Sequence, residues 1–342
     1  MDLSKPNKQR IKDVFNRKIP DRVPNFEILV DNPTLSAVMQ RPMPKHTLDN
    51  IAPQDYMTFS DRIGQDVIGM CFYYSPFFYE GKDGQRKPLD FRITCREDLK
   101  RLLPPDLSWL DEHFTLLDEY ARTVAGTDTG LFILTGSFFT STYDSIFGFE
   151  NFMYTLFDDL PLIEEVLEIG ASFYVELAKK VCERDLTFFY VGDDIAFKST
   201  TLVDPNLLRQ IWLPRLRRIF APALSKKIPI LYHSDGNIIE MIPDLIESGI
   251  NALNPIEPYG MDIQTVKREF GRDIALVGNL DVGGNLSMGT PDDVRREARD
   301  LINSVGHDGG LVLASSHSIT RNVKPENFMA MVETAWTDGR YA

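Results

Sequence analysis

The sequence predicts an α/β protein, a (β/α)8 TIM barrel forming one domain over residues 1–342, with insertions after its first and second strands. Three observations carry that expectation. Short β-branched or aromatic runs alternate with longer helical patterns from near residue 23 onward. Most of these runs are almost continuously apolar, as strands buried on both faces of a parallel sheet are. Polar residues gather just past their carboxyl ends, where the loops of a parallel barrel build sites.

Taken in order, the expected strands are Arg22–Leu29, Asp66–Tyr74, Leu131–Gly136, Leu186–Asp194, Ile228–Asp235, Ile250–Glu257, Ile274–Asp281 and Leu311–His317. Amphipathic helices separate them. In Leu160–Val181 the apolar positions Leu162, Val166, Ile169, Phe173 and Leu177 recur at helical spacing. Asn206–Phe220, Ile238–Ile246, Asp262–Phe270, Pro291–Ile302 and Pro325–Ala335 repeat the pattern. Pro291 and Pro325 suit a first helical turn, and Thr290 with Asp293 forms a cap. A doubly wound open sheet competes with the barrel, but the first βα junction lacks the G-x-G-x-x-G of its dinucleotide-binding form. The insertions, Asp31–Gln65 and Ser75–Gly130, are rich in proline and aromatics and fall over the expected mouth.

Composition narrows the function. With 37 basic and 50 acidic residues the net charge is −13, which repels a nucleic-acid backbone. No apolar run approaches the ~20 residues that cross a bilayer, and the amino end lacks the apolar core of a secretory signal. Three scattered cysteines, Cys71, Cys95 and Cys182, suit a reducing compartment. The expectation is a cytoplasmic protein without membrane or nucleic-acid partners.

The expected strand ends hold the candidate site. Glu27 lies on the first, Asp193 and Asp194 on the fourth, His233 and Asp235 on the fifth, Glu257 on the sixth, Asn279 and Asp281 on the seventh, and His317 on the eighth. His233 and Asp235, two apart, leave the same face of a strand. With His317 they form a set that suits zinc or another divalent metal. A hydrogen-bonded His–Asp pair without metal, or acid–base use of that pair, stays open beside it. Of the adjacent aspartates only one faces inward, and the expectation falls on Asp193, in the register of Val191. His46, His113 and His307 read as surface residues. The aromatic run from Phe132 through Phe138, Phe139 and Tyr143 to Phe157 reads as core, with part of it free to line a flat pocket. Phe72, Tyr73 and Tyr74 point to the same region.

Several segments resemble the uroporphyrinogen decarboxylase superfamily, which also contains zinc-dependent, corrinoid-linked methyltransferases. They are Arg10–Pro24 (RIKDVFNRKIPDRVP), Pro229–Gly236 (PILYHSDG), Gly278–Asp281 (GNLD), Leu286–Val294 (LSMGTPDDV) and Leu311–Ile319 (LVLASSHSI). The resemblance implies a (β/α)8 barrel and, in some members, a homodimer. Uroporphyrinogen decarboxylases carry an R-Q-A-G-R segment after the first strand to hold a polyanionic substrate. Here Pro24–Val30 reads PNFEILV, with Glu27 where cations would be wanted. The methyltransferases place H-x-C at the fifth strand and a further cysteine near the eighth. Here His233, Asp235 and the Ser316/His317 region take those places, a harder ligand set.

The function this implies is metal-assisted transfer of a methyl group between a small methylated substrate and a separate corrinoid protein. His233, Asp235 and His317 would bind metal, Asp193 and Glu257 would be catalytic, and Glu27, Tyr73, Phe138, Tyr143 and Asn279 would bind substrate. The alternatives are a lyase acting on a smaller acid or a tetrapyrrole, and a silent ligand-binding protein.

Overall fold

The computed structural model describes residues 2–341 except 45, 46, 49 and 74. His46 and Tyr74 therefore lie outside the described residues. Seven strands form one parallel sheet: β1 (Val67–Phe72), β4 (Gly130–Gly136), β5 (Phe188–Gly192), β6 (Ile230–His233), β7 (Ala252–Asn254), β8 (Ala275–Leu280) and β9 (Leu311–Ser315), hydrogen-bonded in that order. A separate antiparallel hairpin, β2 (Phe78–Glu80) with β3 (Arg86–Pro88), lies in the segment after β1.

The sheet is wrapped. One face of every parallel strand contributes to a single inner cluster: Val67 and Cys71, Phe132 and Leu134, Phe188 and Tyr190, Leu231, Ala252, Ala275 and Val277, and Val312 and Ala314. The small residues of β7 and β8 face the large rings of β4 and β5, so the interior fills evenly. Ile11, Val14 and Phe15 of the amino-terminal helix Lys8–Phe15 join the same cluster and close its floor. The other face of each strand meets the helices in an outer cluster.

The expected first strand is the exception. Arg22–Leu29 forms no ladder strand; it makes isolated bridges, antiparallel from Arg22 to Arg340 and parallel from Asn25 to Leu313, with another from nearby Val30 to Ile319. Pro24 has no N–H to give, yet its carbonyl accepts from Leu313 at 2.8 Å, and the Phe26 N–H reaches the Leu313 carbonyl at 3.0 Å. Toward β1 a side chain replaces the ladder. Gln65 accepts the Glu27 N–H at 2.8 Å and donates to the Val67 carbonyl at 2.9 Å. Both edges of the sheet thus reach this segment, and Phe26 places its ring in the inner cluster, edge-on to Phe132. The expected barrel is met in its wrapped parallel sheet and not in a regular eighth strand.

The remaining strands sit where the apolar runs predict, and all but β4, which ends at Gly136 as expected, are shortened at their carboxyl ends. The expected helix Asn206–Phe220 is two helices, Pro205–Ile211 and Leu213–Ser225, parted at Trp212 ahead of Pro214. The Thr290–Asp293 cap is present as a reciprocal box. The segment after the 22–30 stretch holds the helices Thr34–Met39 and Pro53–Ile63, and that after β1 holds the hairpin and the helix Asp111–Val124. Among the described residues no helix is long and apolar enough to cross a membrane.

Candidate metal centre and cavity

Because the strands are parallel, their carboxyl ends share one rim, and there the alternation of β5 decides which aspartate faces inward. Phe188 and Tyr190 belong to the inner cluster, Phe189 and Val191 to the outer one. Two-residue periodicity carries Asp193 outward with Val191 and turns Asp194 in with Tyr190. The register expected from the sequence is thus reversed. Asp193 is 1% exposed. Its carboxylate accepts the backbone N–H of Phe139 (3.2 Å) and Thr140 (2.9 Å), the Thr140 hydroxyl (2.9 Å) and the Trp212 indole N–H (3.0 Å). Burial nevertheless pushes its carboxyl up to about 7. Asp193 ties the turn after β4 to β5 and does not reach the mouth.

Asp194, His233 and Asp235 form the cluster instead. One ligand atom from each lies within 4.8 Å of the others. The His233 Nε2 is 3.8 Å from Asp194 Oδ1 and 3.7 Å from Asp235 Oδ1. Backbone geometry tightens the set, since the Asp235 N–H donates to Asp194 Oδ1 at 2.9 Å. The Gly236 N–H donates to Glu257 Oε2 at 3.1 Å, which pins the turn carrying Asp235 to the loop after β7. Gly236 has φ +80°, and a Cβ there would sit 2.5 Å from the Phe197 carbonyl oxygen, so this turn requires glycine.

The state of His233 follows from its neighbours. Asn254 donates from Nδ2 to the Val277 carbonyl at 3.0 Å, which orients its amide. Its Oδ1 then faces the Tyr190 hydroxyl at 2.6 Å and His233 Nδ1 at 2.7 Å. An acceptor at 2.7 Å calls for a proton on Nδ1, so the neutral tautomer of His233 that fits here has its Nε2 lone pair toward two carboxylates. Asp235 Oδ1 is buried there without a hydrogen-bond partner. Burial above all, with Asp194 and Glu257 adding, pushes the Asp235 carboxyl up, while His233 and His317 act the other way. Three electron-rich groups around one point, one of them with an orphaned buried oxygen, could hold a cation. One imidazole and two carboxylates fit a divalent metal of intermediate hardness.

His317 stands outside this set. Its side chain is 53% exposed, and its Nε2 comes within 3.6 Å of Asp235 Oδ2 only. The strand ends before it, at Ser315, so its direction is set by the loop rather than by the sheet.

Beside the cluster lies a cavity of about 200 Å³. Phe26, Ile28, Leu29, Tyr73 and Ala314 supply its apolar wall, and Glu27, His233, Asn254, Ser315, His317 and Ser318 its polar one. Among the described residues no lysine or arginine lines it. Of the residues expected to bind substrate, Glu27 and Tyr73 are here. Phe138 is fully buried in the outer cluster. Tyr143 packs among Phe139, Phe149 and Phe152, with its hydroxyl held beside Thr140 and near Asp194. Asn279 is 8% exposed and donates to the Ile256 carbonyl at 2.9 Å, bracing the loop after β7. His113, expected at the surface, is half-buried with its ring 6.4 Å from that of Phe72. Asn254 and Tyr190 went unselected in the sequence, although Asn254 ends a strand and Tyr190 is the polar ring within an otherwise apolar run.

Residues 85–337 match the sequence profile of uroporphyrinogen decarboxylase (URO-D). The chain belongs to the URO-D family. It is 22% identical over 281 residues to the uroporphyrinogen decarboxylase of Neisseria gonorrhoeae (strain NCCP11945), covering 79% of this chain and 74% of that one. The Coxiella burnetii (strain Dugway 5J108-111) uroporphyrinogen decarboxylase is 29% identical over 149 residues, 42% of this chain and 40% of its own. Among solved structures, a methyltransferase from Methanosarcina mazei superimposes with a TM-score of 0.70 at 18% identity, over 97% of this chain and 98% of that one. This last likeness shows the fold.

Proposed function

We propose that this URO-D family protein is a metal-assisted methyltransferase that moves a methyl group between a small methylated substrate and a corrinoid carried by a partner protein. One observation carries the reading: His233, fixed by Asn254 with its Nε2 lone pair inward, stands beside Asp194 and the unpartnered Asp235 Oδ1. Zinc or another divalent ion held by these three would act as a Lewis acid on the heteroatom that bears the methyl group. Tyr190 and Asn254 hold the imidazole in one tautomer and direction, and Glu257 holds the Asp235 turn. Tyr73, Phe26 and Leu29 would enclose the substrate, and the rim at Tyr73 and His317 would admit the corrinoid.

The methyltransferase name of the Methanosarcina mazei structure agrees with this reading. The cavity speaks against a polycarboxylic substrate. It holds about 200 Å³ and, among the described residues, offers the Glu27 carboxyl group without one lysine or arginine to match a polyanion. Protein prepared without chelators should contain close to one equivalent of a divalent metal and methylate free cob(I)alamin from a small methyl donor. Loss of metal in His233→Ala and Asp235→Ala with the fold intact supports the reading. Metal below ~0.2 equivalents that no variant changes would overturn it.

A further inference from the structure

The cavity wall carries a carboxyl group that no cation among the described residues answers. Glu27 lines the cavity and is 3% exposed. Its Oε1 accepts the Ser315 N–H at 2.7 Å, and its Oε2 lies 2.7 Å from Ser315 Oγ. The same hydroxyl also contacts the His317 carbonyl oxygen. A hydroxyl has one proton, and a carbonyl has none. Were the Ser315 proton given to Glu27, bare lone pairs would meet at the His317 carbonyl. All three contacts are satisfied when Glu27 Oε2–H donates to Ser315 Oγ, and Ser315 Oγ–H donates to His317.

We propose that Glu27 is held as a neutral carboxylic acid and, through the Ser315 hydroxyl, delivers a proton to the heteroatom that loses its methyl group in the cavity. The delivery step rests on the methyltransferase reading; the neutral acid does not. Burial pushes this carboxyl up to about 8, and only the two Ser315 hydrogen bonds act against it. The titratable groups that share the wall are Tyr73, His233 and His317, and Tyr190 feels Glu27 from the inner cluster. Gln65, which meets the Glu27 backbone, is neutral.

In the step, the bond between carbon and heteroatom breaks with its electron pair left on the heteroatom. The methyl group passes to the reduced corrinoid, whose own electron pair makes the new bond. The heteroatom takes the Ser315 proton, Ser315 takes that of Glu27, and a solvent proton later restores the acid. A proton is needed where an oxygen or sulfur anion departs. The site is therefore matched to methyl ethers and thioethers rather than to quaternary ammonium groups, whose amines leave neutral.

Two measurements on the metal-loaded protein test this. Infrared difference spectra of wild type against Glu27→Gln should show the carbonyl stretch of a neutral carboxylic acid at neutral pH; its absence overturns the proposal. Methyl transfer from ring-substituted methoxybenzenes to free cob(I)alamin reads the relay. Glu27→Gln, which preserves both Ser315 contacts, should slow it by roughly 10²–10⁴ for the least acidic phenols, and progressively less as the phenol becomes more acidic. Ser315→Ala should follow the same trend. A slowing equal across the series marks a structural role and refutes delivery. If the wild type transfers methyl from none of them, the function proposed above and the relay fall together, while the infrared band still decides the acid.

Discussion

Replacing Asn254 by leucine tests the metal centre through a residue that would touch no metal. The change removes three hydrogen bonds, from Tyr190 (2.6 Å), from His233 Nδ1 (2.7 Å) and to the Val277 carbonyl (3.0 Å). Tyr190 and His233 Nδ1 are 3.2 Å apart and can still pair with each other, so the buried Val277 carbonyl bears most of the loss. An unpaired buried group costs about 1–3 kcal/mol, and the two weakened bonds raise the total to roughly 2–4 kcal/mol. The effect on metal binding is separate. Once paired with Tyr190 alone, the imidazole is free to carry its proton on either nitrogen and to tilt. Loss of such an orienting partner weakens metal affinity about 10–100-fold, or roughly 1.4–2.7 kcal/mol. Zinc competition against a colorimetric chelator measures this directly, with urea unfolding alongside. Asn254→Asp keeps an acceptor for Nδ1 and should bind zinc within about 10-fold of wild type. Zinc binding in Asn254→Leu equal to that of a zinc-binding wild type would refute the fixed-tautomer argument.

Four further outcomes follow from the same geometry. Asp194→Asn should lose about tenfold or more in zinc affinity while unfolding normally. Asp193→Asn should leave zinc affinity near wild type but cost about 3 kcal/mol in urea, because its amide nitrogen turns donors toward either Phe139 and Trp212 or Thr140, all of them donors there; the opposite pattern would restore the register read from the sequence. Glu27 is held up at about 8 against an ordinary 4.5, so the folded state keeps a proton that the unfolded chain releases. Its contribution to stability is complete below about pH 4.5, falls by up to about 1.4 kcal/mol per pH unit as pH rises toward 8, and is then flat. Glu27→Gln should lose that part of the slope, and urea midpoints with the same pH dependence as wild type would count against it. Phe138→Ala should cost about 3–5 kcal/mol and leave KM for any methyl donor unchanged, whereas Tyr73→Ala should raise KM with little loss of stability; a KM effect at Phe138 would return that ring to the cavity.

The strand pattern was legible because burial on both faces leaves a continuous apolar run, and seven of the eight expected runs are ladder strands. The eighth, Arg22–Leu29, looks alike in composition, but Pro24 removes an N–H within it and Gln65 bridges to its backbone from outside the run. Hydrophobicity does not register a missing N–H or a distant amide. His233 and Asp235 were legible as a pair because side chains two apart on a strand share a face. Asp194 was not, since choosing between adjacent aspartates requires knowing which of Tyr190 and Val191 lies inside, and both are apolar enough to be buried either way.

By itself, then, the sequence determined the family, the parallel sheet and the rim that carries the polar residues, because these depend on periodicity and on order along the chain. Tertiary structure alone decided the rest. It turned Asp193 away and Asp194 in, left His317 at the edge, and brought Asn254, Tyr190 and Ser315 against His233 and Glu27. These choices depend on how strands from distant parts of the chain meet in a wrapped sheet, where a hydrogen bond between residues 27 and 315 fixes what neither residue signals alone.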